Sequence, residues 1–252
     1  MKVLFWLSLA VVAYVYVGYP MLLAIWARLR AQPVQRKPLD TPAPGVSVII
    51  AARNEAHRLP ARVSNLLQQQ YAGPIQIIIV SDGSTDGTPA ALAPFGRRVE
   101  LVDIPSSGKP TALNAGVARA RHDILVFADA RQTFDRAVLR SLAENFADPK
   151  VGAVTGELLL DCESDPAASA GSTVGESVGA YWRYEKWLRK QESAIWSTLG
   201  ATGAIYAMRR RLWQSLPGPT LLDDVLGPMR VVLAGYRVVF DDRAKAYDRV
   251  EP

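Results

Sequence analysis

Asp82, Lys109, Asp129 and the pair Asp223-Asp224 are the residues whose types and settings allow chemistry. Asp82 follows the apolar run Ile75 to Val80 and precedes Gly83, so the backbone can turn sharply while the carboxylate stays at a strand tip. There it can accept from a nucleobase or a ribose. Ser81 to Thr88 also reads as a turn in which Ser84 or Asp86 caps a helix opening at Pro89, and for Asp86 capping is the better reading. Gly108-Lys109 falls short of a phosphate loop, because Asp103 stands five positions before Gly108 and Pro110 replaces the Ser or Thr. Lys109 can still meet a diphosphate as a point charge; taken alone, a solvated surface lysine is the simpler reading. Asp129 closes an apolar run, where an unpaired carboxylate is costly. A metal-diphosphate site or a structural ion pair with Arg131 would each satisfy it. Asp223 and Asp224 lie between Pro217-Gly218-Pro219 and a helical pattern over Val225 to Ala234. Acids opening a helix either cap it or act as a base, and spacing does not separate the two. Neighbouring side chains there diverge by roughly 100°, so only one of the pair can face a given ligand.

The composition leaves the chemistry to these carboxylates. The single cysteine, Cys162, excludes an intramolecular disulfide and a Cys-rich zinc site, and His57 and His122 are too few for a His cluster. No GxGxxG follows an apolar run, which argues against a dinucleotide-dependent dehydrogenase. The chain of 252 residues carries a net charge of +5. Lys2, Arg28, Arg30, Arg36 and Lys37 against Asp40 supply four of those charges, so the remainder is nearly neutral and no nucleic-acid partner is expected.

The elements that must position these residues follow from hydrophobic patterning. The runs at 46–52, 75–80, 99–104 and 123–129 are apolar throughout, as strands buried on both faces are. Between them Leu59 to Gln70, Pro89 to Phe95 and Thr111 to Ala120 are long enough for crossover helices, which predicts a parallel α/β sheet. Ligands of such sheets bind beyond the carboxyl ends of the strands, and the polar residues above fall there. Val151 to Leu160 reads as a further strand and Tyr181 to Gln191 as a helix.

Val3 to Ala27 is 25 residues without a charge, enough to cross a hydrocarbon core of about 30 Å. It is longer than a signal-peptide core and basic residues follow it at once, so it reads as a transmembrane anchor over 1–27. The basic excess on its carboxyl side predicts a single pass through the cell (inner) membrane with the remainder cytoplasmic, a compartment that suits a reduced Cys162. Residues 28–45, basic and with four prolines, read as a semi-rigid linker ahead of a domain over 46–252.

Ala52-Arg53-Asn54-Glu55, Val80 to Asp86, Gly108 to Asn114, Phe127-Ala128-Asp129-Ala130 and Leu222-Asp223-Asp224 together resemble, in this order, the family 2 inverting glycosyltransferases of the GT-A fold, including membrane polysaccharide synthases. The resemblance implies a GT-A type, mostly parallel nucleotide-binding sheet and transfer from a nucleotide diphosphate sugar to a lipid or polysaccharide acceptor. It implies donor binding by Ala52, Asn54, Glu55, Asp82, Lys109, Asn114 and Asp129. Glu55 and Asp82 would lie near a uridine-type nucleoside, and Lys109 and Asn114 near the nucleotide or diphosphate. Asp129 at the DxD position would hold Mg or Mn. Asp224 matches the catalytic base, with Asp223 left to capping, metal or acceptor contacts. Thr202 and Gly203 match the segment lining the acceptor site. Trp182 and Trp187 either face the membrane or a sugar, or pack. Two departures stand out. Arg131 occupies the position of the second DxD aspartate, and the chain stops at Pro252, ahead of the Q(R)xxRW-type motif and carboxyl-terminal membrane helices of processive relatives. The latter points to an incomplete or non-processive chain. These departures motivate an alternative, a non-catalytic nucleotide-sugar-binding subunit; a nucleotidyltransferase shares the sheet and acidic site.

Overall fold

Residues 1–39, 42–160 and 173–248 are described by a computed structural model, 173–180 through their backbone alone. Asp40 and Cys162, used above in the charge and redox arguments, lie outside the described residues.

The four apolar runs form β1 (Val46–Ala52), β2 (Ile75–Asp82), β3 (Val99–Ile104) and β4 (Ile124–Ala128). β1 pairs in parallel with β2 and β4, and β2 with β3. Along β1, Val46, Val48 and Ile50 face one core and Ile49 the other, and none of the four is exposed. Each such side chain contributes about 1.5–3 kcal/mol on burial, which fixes the strand register from both sides. Helices α3 (Leu59–Leu67), α4 (Thr88–Leu92), α5 (Lys109–Arg119) and α6 (Val138–Glu144) cover the sheet. α5 approaches β1 closely because Gly116 has no side chain: a Cβ there would lie 2.5 Å from Ile49 Cγ2.

The second half adds antiparallel pairs to the parallel first half. β5 (Thr133–Phe134), β6 (Val151–Leu160), β7 (Ile205–Arg209) and β8 (Arg237–Asp248) complete a sheet of order β3-β2-β1-β4-β7-β6-β8-β5. β7 runs antiparallel to β4 and β6, β5 is antiparallel to β8, and β6 is parallel to β8. Since Ile205 pairs with Ala128, β7 starts at the edge where β4 ends, which brings the residues before β7 beside Asp129. The result is an α/β, mostly parallel sheet.

Helix boundaries differ from expectation for local reasons. α3 stops at Leu67, and Gln69 turns its side chain to Asp135 O and Leu139 N. The expected helix at 89–95 breaks after Leu92 into a tight 3₁₀ turn containing Pro94 and Gly96, the latter at φ +54°. α5 begins at Lys109, two residues early, because Pro110 is tolerated in a first turn where its missing N–H has no helical partner to lose.

α1 (Lys2–Ala13), a π turn (Tyr14–Gly18) and α2 (Tyr19–Arg30) form one helix of 29 residues containing an 18-residue stretch of mean hydropathy 1.8, long and apolar enough to cross a membrane. The wide turn precedes Pro20, which lacks the N–H for a helical bond. α2 buries Leu23 and Ala27, and its Tyr19 hydroxyl donates to Glu192 Oε1 of α7 (Thr173–Ile195) at 3.3 Å. Buried Arg237 donates to the carbonyls of Gln32, Ser193 and Trp196, so the segment after α2 is stitched to the domain. α8 (Asp223–Leu233) precedes β8.

Candidate active site

β2 carries Asp82 to the carboxyl edge as its last residue, and the turn at Gly83 adopts φ +63°. A side chain at Gly83 would lie 2.7 Å from Ser106 N, so the turn and the loop after β3 touch only because the position is glycine. Asp82 is 5% exposed and accepts from Ser107 N at 2.6 Å and Gly108 N at 3.0 Å. Both carboxylate oxygens thus hold the loop that opens α5. Asn54, at φ +56°, donates its N–H to Ser84 Oγ and accepts from Thr85 N at 2.9 Å, clipping the loop after β1 to the loop after β2. Asp86 accepts from Ala56 N at 2.7 Å and from Thr88, and these bonds hold its carboxyl below the usual range. Ala52 is buried in the core beneath this edge.

The charged centre gathers residues from three elements. Lys109 Nζ, at the start of α5, lies 3.2 Å from Asp129 Oδ1 and 3.8 Å from Asp223 Oδ2. Burial pushes the ammonium down, but Asp129, Asp223 and Asp224 outweigh it and raise it above the ordinary lysine value. Asp223 is 7% exposed, and among the described residues its Oδ2 has no hydrogen-bond donor. Burial raises its carboxyl, with Asp224 adding to this and Lys109 opposing it. Neither acid caps α8, which has Leu222 at its N-cap and no side-chain cap bond; the capping alternative is therefore not realised.

Asp224 turns the other way. Its carbonyl accepts from Ala201 N at 2.9 Å, and a Cβ at Gly203 would lie 3.2 Å from its Oδ2, so the absence of a side chain at Gly203 leaves room beside that carboxylate. The two adjacent acids diverge as their helical position requires. Thr202 N donates to Thr155 Oγ1, and Thr202 Oγ1 accepts from Arg189 Nη1 at 2.7 Å, tying this loop to β6 and α7.

The remaining residues singled out in the sequence have defined partners. Asn114 forms a two-point clip with the backbone of Leu216, at 2.8 and 2.9 Å, and is committed to holding that segment against α5. Arg131 is not the partner of Asp129: its Nη2 donates to Asp248 Oδ2 at 2.6 Å, beside Gln132 on the same carboxylate. Glu55 pairs with Arg58 at 2.9 Å and shares with Asp129, Arg131 and Arg53 a polar cavity of ≈ 210 Å³. Trp182 is half-buried and Trp187 is 39% exposed on α7.

Two buried groups escaped the sequence reading. Tyr206 in β7 is 1% exposed and stacks on Phe127 at 4.6 Å, which in turn stacks on Trp213, and its hydroxyl has no hydrogen-bond partner among the described residues. Burial pushes that hydroxyl well above its ordinary value, and Asp223, Asp224 and Asp129 add to the shift. A tyrosine inside Ala204 to Met208 was the available signal. Arg62 of α3, 2% exposed, lies 3.9 Å from the centroid of Phe134, and burial lowers its guanidinium to about 9.

Among the described residues no group of three or more His, Cys, Asp or Glu could hold a metal. Asp129 and Asp223 nevertheless face one point of positive charge, and Asp223 offers an oxygen without a donor. Two hard oxygen donors fit Mg²⁺ or Mn²⁺ when a diphosphate and water complete the shell.

Known proteins share this arrangement in part. Over 116 residues the chain is 33% identical to poly-beta-1,6-N-acetyl-D-glucosamine synthase of Staphylococcus aureus (strain COL), covering 44% of this chain and 28% of the relative. Over 130 residues it is 32% identical to N-acetylglucosaminyltransferase of Rhizobium sp. (strain N33), covering 48% and 28%. The matches thus span little more than a quarter of these relatives. The mannosyltransferase PcManGT of Pyrobaculum calidifontis, solved with GDP-Man and Mn²⁺, superposes with a TM-score of 0.75 and 25% identity over 96% of this chain and 68% of that one. TarS of S. aureus, solved with UDP-GlcNAc, superposes at 0.61 and 17% identity over 82% and 59%, a likeness of fold. The sequence model described as glycosyl transferase family 2 matches residues 47–216, most of the chain, and with the site at the carboxyl edge of this sheet it follows that the protein belongs to that family.

Proposed function

We propose that the protein transfers a sugar, with inversion, from a nucleoside diphosphate sugar to the hydroxyl of a lipid or polysaccharide acceptor, held at the cytoplasmic face of a membrane by Lys2–Arg30. The observation that carries this reading is the divergence of the acidic pair: Asp223 faces Lys109 and Asp129, while Asp224 stands against Gly203. An inverting displacement needs this division, with positive charge at the leaving diphosphate and a carboxylate at the attacking hydroxyl.

Asp224 takes the acceptor proton as the new bond forms. Lys109 neutralises the departing diphosphate, assisted by the backbone N–H groups opening α5, whose helix end favours anions. Asp82 holds the loop that presents those groups and lies on the nucleoside side, with Glu55 and the polar cavity beside Asp129; Ala52, Asn54 and Asn114 fix the backbone around them. A divalent cation, when bound through Asp129, supplies Lewis-acid stabilisation of the same diphosphate. Thr202 and Gly203 shape the acceptor side. An apolar cavity of ≈ 1210 Å³ between α2 and α7, lined in part by Trp26, Leu29, Trp196 and Leu199, supports an acceptor with a lipid portion, since Leu199 adjoins Gly200 and the latter packs on Val225 beside Asp224.

The test is donor-dependent release of nucleoside diphosphate by the full chain in detergent, over a panel of UDP- and GDP-sugars with lipid and glycan acceptors. Release of nucleoside diphosphate together with a glycosylated acceptor of inverted configuration is expected. Donor binding without turnover would identify a non-catalytic subunit, and release of inorganic diphosphate a nucleotidyltransferase.

A further inference from the structure

Position 131 carries an arginine, and its guanidinium is committed to Asp248, so the stretch after β4 presents Asp129 as its carboxylate at the charged centre. Across the site the second carboxylate facing Lys109 is Asp223, at 3.8 Å against 3.2 Å for Asp129. One ammonium therefore serves two carboxylates, and among the described residues the buried Asp223 Oδ2 has that ammonium at 3.8 Å but no hydrogen bond. A buried charge so weakly compensated is costly, and a doubly charged ion would satisfy both acids better than a single ammonium. Lys109 is free to leave: its side chain is 41% exposed, on a flexible four-carbon stem at a helix start where a diphosphate would offer it another anion.

We infer that the ammonium of Lys109 and a divalent cation compete for one locus between Asp129 and Asp223, that Asp223 supplies the carboxylate position 131 lacks, and that the donor's diphosphate opens the locus by drawing Lys109 away. The inference rests on the donor reading given above and deepens it. Its consequence is ordered binding: the cation binds weakly to the free enzyme and tightly only with a nucleoside diphosphate. Asp223 is then a ligand-binding residue distinct in role from Asp224, although the two are adjacent.

Manganese titrations of the full chain in detergent, read by EPR of the free ion, test this with UDP and GDP as the nucleotide probes. Wild type should bind Mn²⁺ at least about tenfold more tightly with the fitting nucleotide than without it. Lys109→Met removes the competitor while keeping the stem, and should tighten Mn²⁺ binding without nucleotide by about tenfold or more. Adding Asp223→Asn to Lys109→Met should abolish that gain. Lys109→Gln serves as a second variant, and a thermal melt verifies folding of each. Unchanged Mn²⁺ affinity in both folded Lys109 variants would overturn the inference, as would a gain that survives Asp223→Asn. If wild type binds neither nucleotide with or without Mn²⁺, the donor reading fails, while the nucleotide-free titration of Lys109→Met still decides whether the locus exists.

Discussion

Asp82 and Asp223 are buried carboxylates at the same end of one sheet, 5% and 7% exposed, and they differ in their partners. Asp82 accepts two backbone N–H bonds, and around it Asn54 and Asp86 also bind backbone, so the loops after β1 and β2 hold one another without any ligand. On the other side, among the described residues the buried Asp223 Oδ2 and Tyr206 hydroxyl make no hydrogen bond, and Asp223 shares Lys109 with Asp129 as its ion-pair partner. The first region stores order and the second stores unsatisfied charge. Buried polar groups left unpaired lower stability, so a ligand that satisfies them recovers that energy on binding.

A fully satisfied acid in the second half gives the reference for this comparison. Asp241 is fully buried and accepts from Arg243, Asn145 and its own turn, with Arg36 at 3.6 Å. Burial pushes its carboxyl up, but these donors outweigh it and hold it below the ordinary 3.8. Asp241→Ala should cost about 3–5 kcal/mol in urea unfolding, because buried Asn145 and the arginines lose their anion. A folded pKa below the unfolded one gives stability that is present above pH 3.8 and lost as pH falls through the lowered value, so Asp241→Asn should flatten the acid limb of a stability-pH curve. Asp82→Asn should destabilise by about 1–3 kcal/mol, since an amide NH₂ cannot accept from one of the two N–H groups, and should weaken nucleotide binding by loosening the start of α5. Asp223→Asn should do the opposite within about 1 kcal/mol, leaving stability equal or higher in the same assay, because it removes a buried charge whose ion pair is long while Lys109 keeps Asp129. The contrast fails if Asp223→Asn destabilises as much as Asp82→Asn. Gly203→Ala is the smallest change: its Cβ presses on Asp224 Oδ2 at 3.2 Å, so acceptor KM should rise several-fold while the melting temperature barely moves.

The first half of the fold was legible because its strands are buried on both faces and read as unbroken apolar runs. Their carboxyl ends were then fixed by direction alone, which located Asp82, Lys109 and Asp129 at one edge. In the second half the strand at 151–160 and the helix at 181–191 were legible, but the pairing was not, because β7 reverses direction and side-chain partners lie far apart in sequence: Arg131 bonds Asp248 across 117 positions and Asn114 bonds Leu216 across 102. Patterning carries no record of such pairs, and it made Arg131 a natural partner for Asp129 when the structure sends it elsewhere. Tyr206 was hidden for a related reason, since its ring satisfies the apolar pattern of a strand and its hydroxyl does not register. Spacing left capping and base chemistry open for the acids at the start of α8; Leu222 occupies the N-cap, and neither acid makes a capping bond.

The most direct test of the account compares wild type with Asp224→Asn in donor-dependent nucleoside diphosphate release and in nucleotide binding. On the proposed function Asp224 faces the acceptor while Lys109 pairs with Asp129 and Asp223, so its loss should remove the base and leave both ion pairs of Lys109 in place. The expected result is a fall in kcat of about 10² or more with nucleotide affinity within about twofold of wild type. Full turnover by folded Asp224→Asn would contradict the division of the acidic pair on which the proposed function rests.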